Sequence, residues 1–178
     1  MTNTYREAGV DLARAEQHVA NIAALVTSTW GTQVVGGFGG FAAGVKLPPG
    51  YRRPVLVLST DGVGTKLELA RRRDHWQGVG FDLVAMCVDD LAAMGARPVA
   101  LVDYLAVGAL DPERDRRIVE SIAAACSTAG CILLGGETAE HPGVMKPDQV
   151  DLAGTALGVL EAGEEITGVN IEPGDLII

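Results

Sequence analysis

The chain has 178 residues, 48% of them hydrophobic, enough to bury a core as one domain. Its 23 acidic residues against 14 basic ones give a net charge of -9, which argues against nucleic acid as a partner because no basic patch meets the phosphates. No apolar run is long enough to span a bilayer, and the polar, acid-bearing residues 1–16 read neither as a secretion signal nor as a transit peptide.

Residues 1–10 read as loosely ordered. From Asp11 to about Thr29, Leu12, Ala15, Val19, Ile22 and Val26 recur at helical spacing, and Trp30-Gly31 ends the segment. A short strand at Gln33 to Val35 leads into Gly36-Gly37-Phe38-Gly39-Gly40-Phe41. Gly37-x-Gly39-x-x-Ala42 nearly fits a dinucleotide fingerprint, with Asp61 at a plausible distance for the ribose carboxylate. That fingerprint requires a helix behind it, and Pro48-Pro49 arrive too soon, so a Rossmann site is rejected. What remains is a phosphate cover or a flexible turn, with the cover favoured.

Val55 to Ser59 is an apolar, branched run of the kind found in a buried strand, and it breaks at Thr60-Asp61-Gly62. There Asp61 offers a carboxylate, Gly62 and Gly64 bare amides, Thr65 a hydroxyl and Lys66 a cation. The group suits a magnesium-bound phosphate, and a tight turn with a solvated Asp fits the segment equally well. It is not a Walker loop, because the spacing G-x-x-x-x-G-K is absent.

A helix from Leu67 to about Asp74 follows, with Arg71-Arg72-Arg73 as a solvated helix end. A second helix runs from about Phe81 to Met94, burying Val84, Cys87, Val88 and Leu91. Asp82 and Asp89 fall opposite that face, Asp82 as a solvated residue, while Asp90 sits on its shoulder where a carboxylate needs a partner. Gly95 suits a left-handed C-terminal cap and Pro98 prevents continuation. Val99 to Val107 is an apolar strand interrupted by Asp103. Asp111-Pro112-Glu113 is a strong helix start, Ile118, Ile122, Ala125 and Cys126 form its buried stripe, and Gly130 closes it. Cys131 to Leu134 is a short buried strand ending in Gly135-Gly136-Glu137-Thr138. His141-Pro142-Gly143 opens a loop, Asp151 to Leu160 is a strand, and Gly174 to Ile178 is a strand onset from which a longer polypeptide is expected to continue. Cys87, Cys126 and Cys131, odd in number and set in apolar surroundings, read as reduced core thiols of a cytoplasmic protein.

Three acids occupy similar settings, with Asp61 after a strand, Asp90 on a helix shoulder and Glu137 after a strand. If they converge, two like charges about 4 Å apart repel by about 4 kcal/mol at an effective dielectric near 20. A divalent cation with a taste for hard oxygens, Mg2+, relieves this and also takes phosphate oxygens.

Asp61-Gly-Val-Gly-Thr-Lys66, the pattern D-x4-G-A-x-P from Asp90 to Pro98, and Gly135-Gly-Glu-Thr-Ala-Glu140 resemble the aminoimidazole ribonucleotide synthetase (phosphoribosylformylglycinamidine cyclo-ligase) family. So do Tyr5-Arg-Glu-Ala-Gly-Val-Asp11, Gly36-Gly-Phe-Gly-Gly-Phe41 and Phe81-Asp-Leu-Val-Ala-Met86, and the likeness covers essentially the whole chain in order. The resemblance implies an α/β (α+β) N-terminal domain with helices on one face of a sheet. That sheet would supply half of a β-barrel formed with a second copy in a homodimer. It implies residues 1–178 as an ATP-binding and dimerisation domain, with a C-terminal substrate domain lying outside this chain. ATP and Mg2+ would bind at the acids under the glycine loop, and the amide oxygen of formylglycinamidine ribonucleotide would be phosphorylated before an internal nitrogen closes the imidazole ring.

Carried over by position, Asp61, Asp90 and Glu137 would hold Mg2+. Gly36, Gly37, Gly39, Gly40, Asp61, Gly62, Gly64, Thr65, Lys66, Gly136 and Thr138 would bind ATP, with Lys66 and Asp90 catalytic. Asp89 stands where many members carry Asn. His141 replaces a frequent Met and reads as a loop cap rather than a base. The fragment alone is not expected to turn over.

Within the same superfamily, selenophosphate synthetase would need a reactive Cys near the N-terminus, and none precedes Cys87. Thiamine-monophosphate kinase shows paired acids where Thr60-Asp61-Gly62 stands here; hydrogenase-maturation proteins and formylglycinamidine ribonucleotide synthetase are further relatives. A reading of another class is a non-catalytic dimerisation module, separated from the enzyme by whether the chain binds Mg-ATP.

Overall fold

A computed structural model describes residues 11–177; Tyr5 to Val10 of the first motif, and Ile178, lie outside the described residues. Helix α1, Leu12–Thr27, starts where Asp11 accepts hydrogen bonds from the amides of Ala13 and Arg14 at 3.1 and 3.4 Å. Its buried face differs from the expected stripe: His18 and Val26 are buried with Ala15, Ile22 and Leu25 packed beside them, while Leu12 and Val19 are exposed. A polar residue at the centre of the face hid its true orientation from a count of apolar positions.

Strands β1, Val34–Val35, and β2, Gly44–Val45, form a small antiparallel pair whose connection is the glycine loop. A strand and not a helix therefore follows the glycines, as the prolines required. Four longer strands make the main sheet: β3, Pro54–Gly62; β4, Arg97–Val107; β5, Ile132–Glu140; and β6, Val150–Glu161. Their order is β3-β6-β4-β5, with β6 antiparallel to both neighbours and β4 parallel to β5. Helix α4, Pro112–Ala129, makes the crossover that a parallel pair needs. Its start is the one expected: Asp111 accepts from the amides of Glu113 and Arg114, and Pro112 takes the first helical position. Its end is Gly130 at φ 68°.

Helices α1, α2 (Lys66–Arg73), α3 (Val79–Ala93) and α4 lie against one face. Leu83, Val84, Cys87 and Leu91 of α3 and Ile118, Ile122 and Cys126 of α4 meet Leu101, Leu105, Leu133, Leu152 and Ala156 of the sheet, and these buried side chains drive the fold. Cys87, Cys126 and Cys131 are free thiols within this core. The other face is largely open: Leu56 and Leu58 of β3 are 54% and 68% exposed, and Val102 and Tyr104 of β4 are exposed too. A second small cluster of Val99, Ala100 and Val159 is covered by Val45 and Tyr51. The fold is thus mixed α/β with the helices on one side of a mixed sheet. No helix among the described residues is long and apolar enough to cross a membrane.

Several expectations need correction. β3 is an edge strand, of which Val57 is the buried residue; it reads as fully buried because both its faces are apolar and the helices cover only one. It also runs through Thr60 to Gly62, where Asp61 pairs with Gly154 of β6, so no break occurs there. β5 likewise continues past Gly135 and Gly136 to Glu140, which puts Glu137 inside the strand. Asp103 does not interrupt β4, because glycine stands opposite it on both sides, Gly136 of β5 and Gly154 of β6. Arg71 and Arg72 are not merely solvated: both bind Glu68, and Arg71 also binds Asp148. No strand forms at 174–177, where Leu176 and Ile177 are exposed.

Candidate functional site

The glycine loop forms the lip of a cavity of about 610 Å3 whose walls are α1 and β5. Gly37, Gly39 and Gly40 line it from the loop, and Gly136, Glu137 and Thr138 from β5. Gly39 has φ 84°, a left-handed conformation that a side chain would strain. Gly136 is required by close approach: a Cβ there would lie 2.2 Å from Asp103 Oδ1. Asp103 and His18 also line this cavity, and neither was singled out in the sequence. A lone acid within the apolar run 99–107 was the available signal for the first. For the second it was a histidine three residues after Ala15 and four before Ile22.

His18 is 2% exposed; its Nε2 lies 3.2 Å from Thr138 Oγ1, and among the described residues its Nδ1 has no hydrogen-bond partner. Burial holds the imidazole below its ordinary pKa, only partly offset by the charge of Asp115. Asp103 is pushed up to about 7, by burial first and then by the charge of Glu137. Because the folded value exceeds the unfolded one, the folded state holds the extra proton, and this group's contribution to stability falls as pH rises from about 4 to about 7. Thermal melts across that window are expected to show the decline, and Asp103→Asn to flatten it; an identical slope in the variant would assign the titration elsewhere.

The other predicted residues lie across the sheet. Ser59 donates to Asp90 Oδ2 at 2.7 Å, tying β3 to α3, and Asp61, two residues on, faces the same side. Burial first, and then the charges of Asp61 and Asp90, push the Cys87 thiol up. Asp61 Oδ1 accepts from the Gly62 amide at 2.7 Å. Lys66 Nζ pairs with Asp82 Oδ1 at 2.7 Å, which corrects the reading of Asp82 as merely solvated. Gly64 and Thr65 border a second cavity of about 680 Å3, with Arg71, Tyr104 and His141. There the Tyr104 hydroxyl and His141 Nε2 are 2.9 Å apart, so the histidine has a side-chain partner as well as a place in the loop.

Asp61, Asp90 and Glu137 do not meet at one point. Two strands separate β3 from β5, about 14 Å at ordinary strand spacing. The Thr138 contact with His18 places that residue on the helix side, and strand alternation turns Glu137 to the opposite face. Among the described residues no three His, Cys, Asp or Glu side chains lie close enough to hold a metal ion. This donor set still fits Mg2+, which commonly takes one or two carboxylates and fills its octahedron with water and phosphate oxygens. Asp61, Asp90 and Glu137 are all exposed, and among the described residues hydrogen bonds occupy one oxygen each of Asp61 and Asp90.

Residues 39–160 match the family described as AIR synthase related protein, N-terminal domain. The chain belongs to this family. Among curated relatives of the AIR synthase related domain, it is 49% identical over 174 residues to the phosphoribosylformylglycinamidine cyclo-ligase of Prochlorococcus marinus, covering 98% of this chain and 50% of that protein. It is also 49% identical to the enzyme of that name from Thermosynechococcus vestitus, covering 98% of this chain and 51% of the relative. The chain spans about half the length of the curated relatives it matches. The fold is shared with hydrogenase maturation protein HypE solved in complex with ATP, at TM-score 0.66 and 22% identity, covering 90% of this chain and 44% of that one. It is shared too with thiamine-monophosphate kinase from Stenotrophomonas maltophilia, at TM-score 0.62 and 22% identity, covering 86% and 43%. The matched span of the AIR synthase related domain opens inside the glycine loop and closes in β6, so α1 and its His18 lie before it.

Proposed function

We propose that the chain is the ATP-binding, dimerising half of a phosphoribosylformylglycinamidine cyclo-ligase. The whole enzyme closes formylglycinamidine ribonucleotide to aminoimidazole ribonucleotide in cytoplasmic de novo purine biosynthesis. The observation that carries this is 49% identity to the Prochlorococcus marinus cyclo-ligase across 98% of the chain. In this reading Asp61 with Asp90, and Glu137 on the other strand, are the Mg2+ ligands. Held there, Mg2+ would supply positive charge that offsets the charge of the phosphates. Amides of Gly36, Gly37, Gly39 and Gly40 cover the phosphates, while Gly62, Gly64, Thr65, Gly136 and Thr138 complete the nucleotide's contacts.

Lys66 has to leave Asp82 to act. That pair is 50% and 38% exposed, so its loss costs no more than about 1 kcal/mol. The freed ammonium then meets the transferring phosphoryl group. The substrate's amide oxygen attacks the γ-phosphorus, ADP departs, and the internal nitrogen displaces phosphate as the ring closes. Substrate contacts would come from the half of the relatives that this chain does not span. A second copy of the chain is the partner for the open sheet face, which exposes Leu56, Leu58, Val102 and Tyr104.

Calorimetric titration with Mg-ATP tests the reading. Asp90→Asn is expected to weaken binding by at least about tenfold while leaving the circular dichroism unchanged. In the full-length enzyme the same change should abolish turnover; unchanged turnover would remove Asp90 from the metal site. A chain that sediments as a dimer yet is blind to Mg-ATP would favour the dimerisation module instead.

A further inference from the structure

A third cavity, of about 460 Å3, lies at the open end of the β1–β2 hairpin, where β4 and β5 begin. The glycine loop closes the other end of that hairpin, and a bond from the Lys46 amide to the Gln33 carbonyl at 2.8 Å extends the pair towards this cavity. No residue lines both this cavity and the one under the glycine loop.

Its charged side chains are Lys46 and Arg97, and no acid lines it. Elsewhere the chain pairs its cations, Lys66 with Asp82, Arg114 with Asp115 and Arg117 with Asp74. Among the described residues Lys46 and Arg97 have neither an ion pair nor a side-chain hydrogen bond. In a chain of net charge -9, two unpaired cations therefore face one cavity, and an anion between them would relieve their repulsion. Helix α4 ends beside them at Gly130, but the carbonyls of Cys126 and Ser127 already accept from the amides of Cys131 and Gly130 at 3.0 and 3.3 Å. The helix end does not use up the two cations.

The rest of the lining narrows the ligand. Thr32 and Gln33 offer a neutral hydroxyl and amide, while Leu47, Pro48, Pro98 and Ile132 form an apolar wall. The volume falls in the range of about 300–1,000 Å3 usual for small-molecule sites, so a bare anion would leave that wall uncovered. Two cations match a dianion, and an apolar wall matches an organic body attached to it.

We propose that this cavity binds a small phosphate monoester, its dianion held between Lys46 and Arg97 and its organic body laid against the proline and aliphatic wall. A guanidinium can grip two phosphate oxygens at once, and the ammonium adds a point charge. The site needs no metal and stands apart from the nucleotide reading.

Calorimetric titrations of the chain without divalent metal test it, with phenyl phosphate and inorganic phosphate as separate probes. Phenyl phosphate is expected to bind at least about fivefold more tightly than inorganic phosphate. Lys46→Gln and Arg97→Gln, both at exposed positions, should each weaken phenyl phosphate about tenfold. Arg97→Lys keeps the charge and loses the fork, so its affinity should fall between those of the parent and Arg97→Gln. Arg73→Gln, an equal loss of charge on α2 outside all three cavities, should stay within about twofold of the parent. Equal affinity for the two probes overturns the proposal. So does a phenyl phosphate affinity that Lys46→Gln and Arg97→Gln leave unchanged, or that Arg73→Gln weakens as much as they do. A parent that binds neither probe also overturns it and spares the nucleotide reading, which is tested with Mg-ATP.

Discussion

Gly80→Ala is expected to lower the melting temperature by about 5 to 10 °C, the shift that a loss of about 2–3 kcal/mol produces in a domain of this size. Gly80 lies in the first turn of α3, where that helix crosses α4. A Cβ there would sit 2.2 Å from the Ile122 amide nitrogen and 2.3 Å from the Ser121 carbonyl carbon. Those atoms are backbone, so no side chain can swing away, and the two helices must part. Parting also strains the bond from the Gly80 amide to Ser121 Oγ at 3.0 Å, whose hydroxyl is itself given to the Gln77 carbonyl at 2.6 Å. Replacing glycine by alanine in a helix ordinarily gains about 1 kcal/mol, which offsets only part of the overlap. Gly78→Ala is the control, since nothing stands within 4 Å of a Cβ at that position. If Gly80→Ala melted with the parent, the two helices could not be in this contact.

What could be read from the sequence was local. Asp111-Pro112 and Gly130 bracket α4 because a cap, a proline and a left-handed glycine act within a few residues of one another. Gly95, at φ 80°, ends α3 for the same reason. The glycine loop was recognised as something other than a Rossmann turn because Pro48 and Pro49 forbid the helix. What escaped depends on partners distant in the chain. Asp61 faces Gly154, and Glu137 faces Tyr104, through pairings that no nearby pattern encodes. The separation of the acids across the sheet was therefore invisible. Apolar character also cannot tell a side chain buried by its own helices from one on an open face, which is why β3 read as fully buried. His18 and Asp103 escaped for a related cause, since a polar residue in an apolar stripe counts as noise until its neighbours are known.

The largest loss of stability is expected behind the cavity wall, from Asp115→Ala, at about 3–5 kcal/mol. Asp115 is fully buried; Oδ1 accepts from Arg114 Nε at 2.7 Å and Oδ2 from the Asp111 amide at 2.8 Å. Arg114, 8% exposed, also donates to the Ala109 carbonyl at 2.9 Å, so the pair fastens the loop before α4 to the helix's first turn. Removing the carboxylate leaves a buried guanidinium without its counter-charge and an amide near the helix start without an acceptor. Burial nevertheless outweighs Arg114 and holds the Asp115 carboxyl above its ordinary pKa, so the charged pair is itself expensive to desolvate. The double variant Arg114→Met with Asp115→Leu should therefore lie within about 1 kcal/mol of the parent by urea denaturation, far from the sum of the single changes. Additive losses would mean that the two side chains stabilise the fold separately. Asp115 also raises the pKa of His18, so the single variant should leave that ring still harder to protonate. The imidazole's proton resonances followed by NMR across acid pH would register this as a titration midpoint below that of the parent.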